Sequence, residues 1–252
     1  MKPIKELEGK TVAIVGMGKS WFDYDLAKSH GVHFDEVWAI NAVSNVIFHD
    51  RVFMMDPASR FLETDDAGGQ TNTMSHICKT HKGPIYTCEL DKRCPGLVEY
   101  PVNEVVSEFN CFYLNNTVAY AIAFAMWNKV GCLKLFGIDF TYKGNLHFAE
   151  AGRACVEFWL CKCMENDIKV EVAHSSFLLD TAIPNEERLY GYHRLDDPKM
   201  IVADNKNKLC VFNKSQVEKG KLDNKEKEQE FVYVDRYDSN LKKSQAGDPK
   251  KW

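Results

Sequence analysis

Small and polar residues follow several apolar segments of this chain, at the points where strands of a sheet would end. The first of these segments, Thr11–Val15, leads into the sequence GMGKS, which begins at Gly16. A strand that ends in Gly-x-Gly and continues into a helix brings backbone N–H groups and the positive end of that helix together, where a phosphate can bind. Glycine also lets a ligand approach the backbone closely. The turn is therefore a candidate phosphate site.

Neither common nucleotide-binding motif is complete in this turn. The dinucleotide-binding fingerprint requires a third glycine, and Trp21 stands at its position. A P-loop requires a glycine where the chain has Ala13. Close packing of the backbone is therefore an alternative explanation of the two glycines.

Three further strand ends carry residues of the same kind. Asn41 follows the second predicted strand, Asp56 follows the third, and Gly137 and Asp139 follow the fifth. In open α/β sheets, ligands bind outside the carboxyl ends of the strands. A single Asp after a strand is usually a turn residue, but several strand ends of this kind at one edge favour a binding site.

The elements that would position these residues alternate between short apolar runs and longer amphipathic stretches, as in βαβ units. The predicted strands are Thr11–Val15, Glu36–Ile40, Val52–Met55, Pro84–Thr87, Leu133–Phe136 and Lys169–Ala173, and the predicted helices lie near Phe22–His30, Asn116–Lys129 and Glu150–Asn166. This pattern predicts an α/β, Rossmann-like domain over residues 1–180, with a mostly parallel sheet flanked by helices. The polar stretch Asp65–Gly83 is predicted to be a mobile loop. Residues 181–252 are predicted to form an irregular extension with one short strand, Glu230–Val234.

The composition places the chain among ordinary globular proteins. It has 252 residues, of which 45% are apolar and 27% charged. The nine cysteines favour reduced thiols over a disulfide framework. We expect a cytoplasmic protein without a transmembrane segment, since there is neither a long apolar run nor an N-terminal apolar leader. The net charge is −4, and the tail from Ile201 onward, with 12 Lys or Arg against 9 Asp or Glu, leaves −7 on the body.

One long segment carries a family resemblance. It reads NNTVAYAIAFAMWNKVGCLKLFGIDF and contains Thr117 near its start. Together with the Gly-x-Gly-x-Ser turn and Asn41, it resembles bacterial sialyltransferases of the lipooligosaccharide type, which belong to a Rossmann-like glycosyltransferase superfamily. It is also similar to the related pterin-pyrophosphokinase-like proteins. The resemblance covers roughly Val12 to Ser176.

This resemblance implies a nucleotide-sugar site that works without a metal. The residues that it assigns are Gly16, Gly18 and Ser20 at the donor phosphates, Asn41 at the nucleotide or the transferred sugar, Thr117 at the phosphate, and Gly137 and Asp139 at the nucleoside. We add Asp56, because it is predicted to lie at the same edge of the sheet. Met17 stands where the sialyltransferases typically have Asn, and their late histidine motif has no clear match, so the sugar and the base stay open.

Candidates for proton transfer and for a phosphate clamp lie farther along the chain. His147 follows the fifth predicted strand by a short loop, and His174 ends the sixth. An imidazole can take a proton from an attacking hydroxyl or give one to a leaving phosphate. The alternative for His147 is packing beside Phe148. Arg153 would bind a phosphate through two parallel hydrogen bonds, or would pair with Glu150 or Glu157 on a solvated face.

A zinc site is a weaker alternative. Cys78 and His81 have a ligand-like spacing and are followed by Cys88 and Cys94. Cys88 is expected to lie in a strand, and no second closely spaced pair occurs. We therefore assign no residue to a metal.

The function favoured by the sequence is a metal-independent glycosyltransferase. Its donor would be a nucleotide-activated sugar, with no further cofactor, and its acceptor would be a hydroxyl of a glycan or of a hydroxymethylated base in DNA. The alternatives are a Mg²⁺-dependent pyrophosphokinase-like enzyme, with Asp56 and Asp139 as ligands, and a non-catalytic nucleotide-binding protein. A cluster of aromatic and arginine residues around Tyr190 is predicted to form a lid or an acceptor platform, or to fold back onto the body.

Overall fold

The apolar segments form a parallel sheet in the computed structural model, which describes residues 1–141, 145–203 and 209–218. Within these residues the sheet has seven strands: β1 Thr11–Val15, β2 Glu36–Ile40, β3 Arg51–Phe53, β4 Ile85–Thr87, β5 Leu97–Glu99, β6 Cys132–Phe136 and β7 Lys169–Val172. All neighbouring strands are parallel, in the order β5-β4-β3-β2-β1-β6-β7. The predicted α/β class with a parallel sheet is confirmed.

The direction of strand addition reverses at β1. From β1 the chain adds strands outward to β5, and it then returns to place β6 and β7 on the other side of β1. The connections that leave β1 and β6 therefore diverge at their carboxyl ends. This is the position at which open α/β sheets form a ligand crevice.

Helices cover both faces of the sheet. The described part of the first compact unit, Met1–Ala182, contains α1 Phe22–Ser29, α2 Ala58–Glu63, α3 Thr71–Thr80, α4 Val102–Phe109, α5 Thr117–Trp127 and α6 Leu146–Glu165. Val12 and Ile14 of β1 pack in the same core as α5 and α6, whereas Ala13 and Val15 pack with α1. Because both faces are buried, the strand is a continuous apolar run.

The helix α5 is the most deeply buried of the helices that the structure describes. Ala119 and all residues from Ala121 to Trp127 are buried, as expected of a helix that is apolar on every side. The side chain of Asn116 accepts a hydrogen bond from the Ala119 N–H at 3.0 Å and so caps the first turn. This helix starts and ends close to its predicted limits.

The prediction of a mobile loop over Asp65–Gly83 is wrong, because this stretch contains α3. Thr71, Met74, Ile77 and Cys78 are buried along one side of that helix. Their spacing of three and four residues fits one helical face. The helical pattern was missed in the sequence because polar residues stand between these four positions.

Other element limits also differ from the prediction. The elements α2, α4 and β5 are short and were not predicted. The helix α6 begins at Leu146 rather than at Glu150, and the side chain of Asn145 caps it by accepting from the Phe148 N–H at 3.2 Å. The first turn of α6 therefore contains His147.

The second compact unit begins at Ile183. Its described residues form two antiparallel strands, β8 Lys199–Ala203 and β9 Leu209–Asn213, followed by α7 Lys214–Glu218. None of these three elements was predicted. The predicted strand Glu230–Val234 lies outside the described residues.

The aromatic and arginine cluster lies in this second unit. The guanidinium of Arg194 stands over the ring of Tyr190, 5.4 Å from its centroid, and Tyr190 and Tyr192 are exposed. The role of the cluster as a lid or an acceptor platform stays a prediction. Among the described residues, no helix is both long enough and apolar enough to cross a membrane.

Candidate functional site

A cavity of about 770 Å³ lies at the carboxyl ends of β1, β2, β3 and β6, beside the start of α5. The residues predicted to bind a donor that line it are Gly16, Gly18, Asn41, Asp56, Thr117, Gly137 and Asp139. These residues are far apart in sequence, and the strand order brings them together. The volume lies within the usual range of about 300–1,000 Å³ for small-molecule sites.

The glycines of the first turn allow the end of β1 to pack closely against the end of β6. The Gly16 N–H donates to the Phe136 carbonyl at 2.8 Å, and the Gly18 N–H donates to the Gly137 carbonyl at 2.7 Å. A Cβ on Gly16 would lie 2.6 Å from the Gly137 oxygen. Close packing of the backbone is therefore sufficient to require these glycines, and both amides are already used inside the protein.

Ser20 and Asp139 fasten the same turn to the end of β6. The fully buried hydroxyl of Ser20 donates to Asp139 Oδ1 at 2.5 Å and accepts from the Gly137 N–H at 2.9 Å. The Ser20 N–H donates to Asp139 Oδ2 at 2.8 Å. The amide and the hydroxyl of Ser20 are therefore already bonded within the protein, and its role at a donor phosphate stays a prediction.

Other backbone donors around the cavity remain available. Within the described chain, the amides of Met17 and Lys19 have no internal acceptor, and the same is true of Thr117 and Val118 at the start of α5. All four residues line the cavity. The first amides of a helix carry a partial positive charge. The start of α5 therefore offers two N–H groups without an internal acceptor beside the cavity.

Asn41 lines the cavity and carries an unsatisfied acceptor. Its Oδ1 atom is buried and has no hydrogen-bond partner among the described residues. Its backbone is left-handed, with φ of 51°, and its carbonyl accepts from the hydroxyl of Ser44 at 2.8 Å. A buried unpaired acceptor costs about 1–3 kcal/mol. A ligand that donates an N–H or O–H here would recover that energy.

Asp56 is held by a cation that the sequence analysis missed. Arg60 on α2 donates from Nη1 to Asp56 Oδ1 at 2.5 Å and from Nε to Asp66 Oδ1 at 3.0 Å. These hydrogen bonds raise the pKa of Arg60. Both Asp56 and Arg60 line the cavity. Asp56 and Arg60 are four residues apart, a spacing that allows an ion pair along a helix. This spacing could have indicated the pair only if α2 had been predicted.

Further polar residues that were not singled out also line the cavity. They are Lys19, Gln70, Asn115, Asn116 and Thr141. Three of the five are carboxamides, which both donate and accept hydrogen bonds. Such a lining suits a ligand that is rich in hydroxyl groups.

The two predicted catalytic histidines are not among the residues that line the cavity. His147 is exposed in the first turn of α6, and only the following residue, Phe148, reaches the cavity. His174 is exposed just after β7. Their catalytic roles stay predictions.

Arg153 is placed away from the cavity, in α6. Its Nε donates to Glu157 at 2.8 Å, and its Nη2 donates to Asp180 at 3.0 Å. Partial burial lowers the pKa of Arg153, but the two carboxylates raise it by more, so the net shift is upward. Arg153 thus makes the pairing with Glu157 that was the alternative, and its role as a phosphate clamp stays a prediction.

Among the residues of the weaker zinc interpretation, His81 pairs with a histidine outside the set. His81 Nε2 lies 2.8 Å from Nε2 of His49, and the two rings stack. Cys78 and Cys94 are buried, and burial raises the pKa of Cys78 to about 12. Within the described ranges, no three residues among His, Cys, Asp and Glu are grouped so as to hold a metal ion.

Comparisons with known proteins give a limited likeness. No family model matches the chain, and no curated protein matches it significantly. A solved structure of the sialyltransferase CstII from Campylobacter jejuni, in complex with the substrate analogue CMP-3FNeuAc, is similar with a TM-score of 0.45 and 18% sequence identity. The similarity covers 68% of this chain and 82% of that one.

A second solved structure gives nearly the same values. It is a point variant of the alpha-2,3/8-sialyltransferase CstII, with a TM-score of 0.45 and 18% identity over 68% of this chain and 84% of that one. Both structures are sialyltransferases, and neither supports the resemblance to pterin pyrophosphokinases. The fold assignment rests on the strand order of the sheet itself.

Proposed function

We propose that this chain is a glycosyltransferase that transfers a sugar from a nucleotide-activated donor to a hydroxyl acceptor. The observation that carries this proposal is the cavity at the reversal of strand order, which joins the start of α5 to the unsatisfied oxygen of Asn41. One end of the cavity suits an anion, and the rest suits a polar, uncharged ligand. A nucleotide sugar has both parts.

The phosphate end of the donor is assigned to α5. The free amides of Thr117 and Val118, with the Thr117 side chain beside them, face the same cavity as the exposed Lys19. The N-terminus of a helix stabilises an anion by about 0.3–1 kcal/mol, and by up to about 2 kcal/mol in a partly buried site. This charge is most useful when the nucleotide departs, because negative charge grows on its phosphate during transfer.

The sugar and the nucleoside are assigned to the carboxamides. Asn41, Gln70, Asn115 and Asn116 offer donors and acceptors to hydroxyl groups and to a base. Asn41 has the strongest case of these, because its buried oxygen has no other described partner. We therefore expect Asn41 to contact a hydrogen-bond donor of the ligand.

The proposal does not involve a metal ion. Of the two carboxylates that a Mg²⁺-dependent pyrophosphokinase would use, Asp139 accepts hydrogen bonds from Ser20 at both oxygens, and Asp56 accepts one from Arg60 at Oδ1, which leaves Asp56 Oδ2 without a described partner. In their place, the helix terminus and Lys19 supply positive charge near the phosphate. The acceptor, whether a glycan or a hydroxymethylated base in DNA, stays open in this proposal, and the −7 charge of the body is a poor match for duplex DNA.

Thermal unfolding with a panel of nucleotides tests the proposal. The panel contains CMP, UMP, UDP, GDP, ATP and their sugar derivatives, each with and without EDTA. A ligand at about 100 times its dissociation constant stabilises the fold by about 2.7 kcal/mol. We expect one nucleotide sugar to raise the melting temperature equally with and without EDTA.

A pair of variants places the effect in the cavity. Thr117→Val removes the hydroxyl beside the phosphate and should weaken binding of the nucleotide but not of its nucleoside. Thr73→Val, a matched change on α3 at a residue that does not line the cavity, should bind both as the wild type does. Stabilisation by ATP only in the presence of Mg²⁺ would support the pyrophosphokinase alternative, and stabilisation without turnover would support a non-catalytic nucleotide-binding protein.

A further inference from the structure

The ionisable groups that line the cavity differ in whether they can accept a proton. Among the described residues these groups are Lys19, Asp56, Arg60, Tyr120 and Asp139. Lysine and arginine are protonated near neutral pH, and burial raises the pKa of the Tyr120 phenol. Both oxygens of Asp139 accept hydrogen bonds from Ser20. Asp56 is therefore the one carboxylate in this set with an oxygen free for a ligand.

We propose that Asp56 is the general base of the transfer reaction, accepting the proton of the acceptor hydroxyl. This inference rests on the proposed function, since it requires a donor sugar in the cavity. It assigns the proton step to a group in the cavity, whereas His147 and His174 are not among its lining residues.

The surroundings of Asp56 fix its orientation. Its backbone carbonyl, just past the end of β3, accepts from the Thr87 hydroxyl at 3.2 Å. Its Oδ1 accepts from Arg60 at 2.5 Å, and Asp66 holds Arg60 from the other side at 3.0 Å. A base oriented by a third group is the usual arrangement in sites that activate a nucleophile.

The Asp56 side chain is partly exposed, and its second oxygen has no described partner. Oδ2 has no protein partner among the described residues, and 31% of the Asp56 side chain is exposed. A carboxylate is ionised near neutral pH, so Oδ2 can accept a proton from a hydroxyl that enters the cavity. Arg60 then acts as a positioning residue that keeps Oδ1 occupied.

The proposed step transfers one proton and exchanges one bond. The acceptor O–H proton moves to Asp56 Oδ2 while the acceptor oxygen bonds to the anomeric carbon of the donor sugar. The bond from that carbon to the phosphate oxygen breaks, and its electron pair leaves with the nucleotide, whose charge faces the start of α5. Asp56 later releases its proton to water.

The test compares Asp56→Asn with Asp65→Asn, a matched change at an exposed carboxylate that does not line the cavity. The substrates are UDP-glucose, UDP-galactose, GDP-mannose and a CMP-linked sugar, with lactose or water as the acceptor and nucleotide release as the signal. We expect Asp56→Asn to lower kcat by about 100-fold or more, the usual size of a general-base effect. Nucleotide affinity should stay within about threefold of the wild type, because the base acts only in the chemical step. Asp65→Asn should match the wild type in both.

Two further measurements separate a catalytic role from a structural one. With a carboxylate base, kcat/KM should persist at about pH 5.5, where an ordinary histidine is protonated. Arg60→Lys should lower kcat with little change in KM, because a lysine cannot hold the carboxylate with the same planar geometry. His147→Asn serves as the rival variant.

The outcomes distinguish this inference from the proposed function. If Asp56→Asn turns over as fast as the wild type, the role of Asp56 is overturned while the transferase proposal stands. The same holds if His147→Asn loses about 100-fold in kcat and Asp56→Asn does not. If none of the nucleotide sugars binds the wild type, or if binding leads to no turnover, both proposals fail together.

Discussion

Replacing Ser20 by alanine removes the hydroxyl that joins the first turn to the end of β6. That hydroxyl donates to the Asp139 carboxylate at 2.5 Å and accepts from the Gly137 N–H at 2.9 Å. Ser20 is fully buried, so water cannot easily replace the lost bonds. A hydrogen bond to a charged group contributes about 1.5–3 kcal/mol and a neutral one about 0.5–1.5 kcal/mol. We expect Ser20→Ala to lower the free energy of unfolding by about 3 kcal/mol.

Urea denaturation of the full chain measures this change. The matched control is Ser107→Ala on the exposed side of α4, which should stay within about 0.5 kcal/mol of the wild type. In a thermal scan, the same loss corresponds to a fall in melting temperature of about 6–12 °C for a chain of this size. A loss below about 1 kcal/mol would refute the assignment of this hydrogen-bonded group as the fastening of the turn.

Three further predictions concern other parts of the fold. Gly137→Ala should lower the free energy of unfolding by at least about 3 kcal/mol, because φ is 65° and a Cβ would lie 2.2 Å from the Gly16 oxygen; a wild-type urea midpoint would contradict this. Burial and the neighbouring His49 lower the pKa of His81, so the folded state resists its protonation. The stability that this group contributes is present above the unfolded pKa of about 6.5 and is lost as the pH falls below it. The difference between the urea midpoints at about pH 7.5 and about pH 5.5 should therefore be smaller in His81→Asn than in the wild type. Asn41→Gly should raise stability by about 1 kcal/mol by relieving the left-handed backbone, yet weaken nucleotide-sugar binding in calorimetry; unchanged affinity would argue against Asn41 as a ligand contact.

The sequence was sufficient to predict the central strands and the helix α5. β1 and β2 are five-residue runs buried along nearly their whole length, and α5 has a polar cap at Asn116 before an unbroken apolar stretch. Both signals are local, so they can be seen without knowledge of the fold. The strands β3, β4 and β5 have three residues each, which is too few for a periodic pattern, and β5 was missed because it is also the least buried of the three.

The location of the cavity was also predictable, because parallel strands place their carboxyl ends at one edge of the sheet. The hydrogen-bond partners of the residues at that edge could not be predicted. Ser20 donates to Asp139, which is 119 residues away in the sequence, and the residues around Ser20 do not indicate this partner. Arg60 was missed because α2 is only six residues long.

The close contact between the two strand ends has a consequence for comparing this chain with its relatives. Gly16, Gly18 and Gly137 leave no room for a side chain, whether or not a ligand is present. Selection for folding alone would keep these three positions invariant in any alignment. Evolutionary evidence for a nucleotide should therefore be sought at Thr117, in the first turn of a regular helix, where the backbone would tolerate other residues and a bound molecule would resist the change.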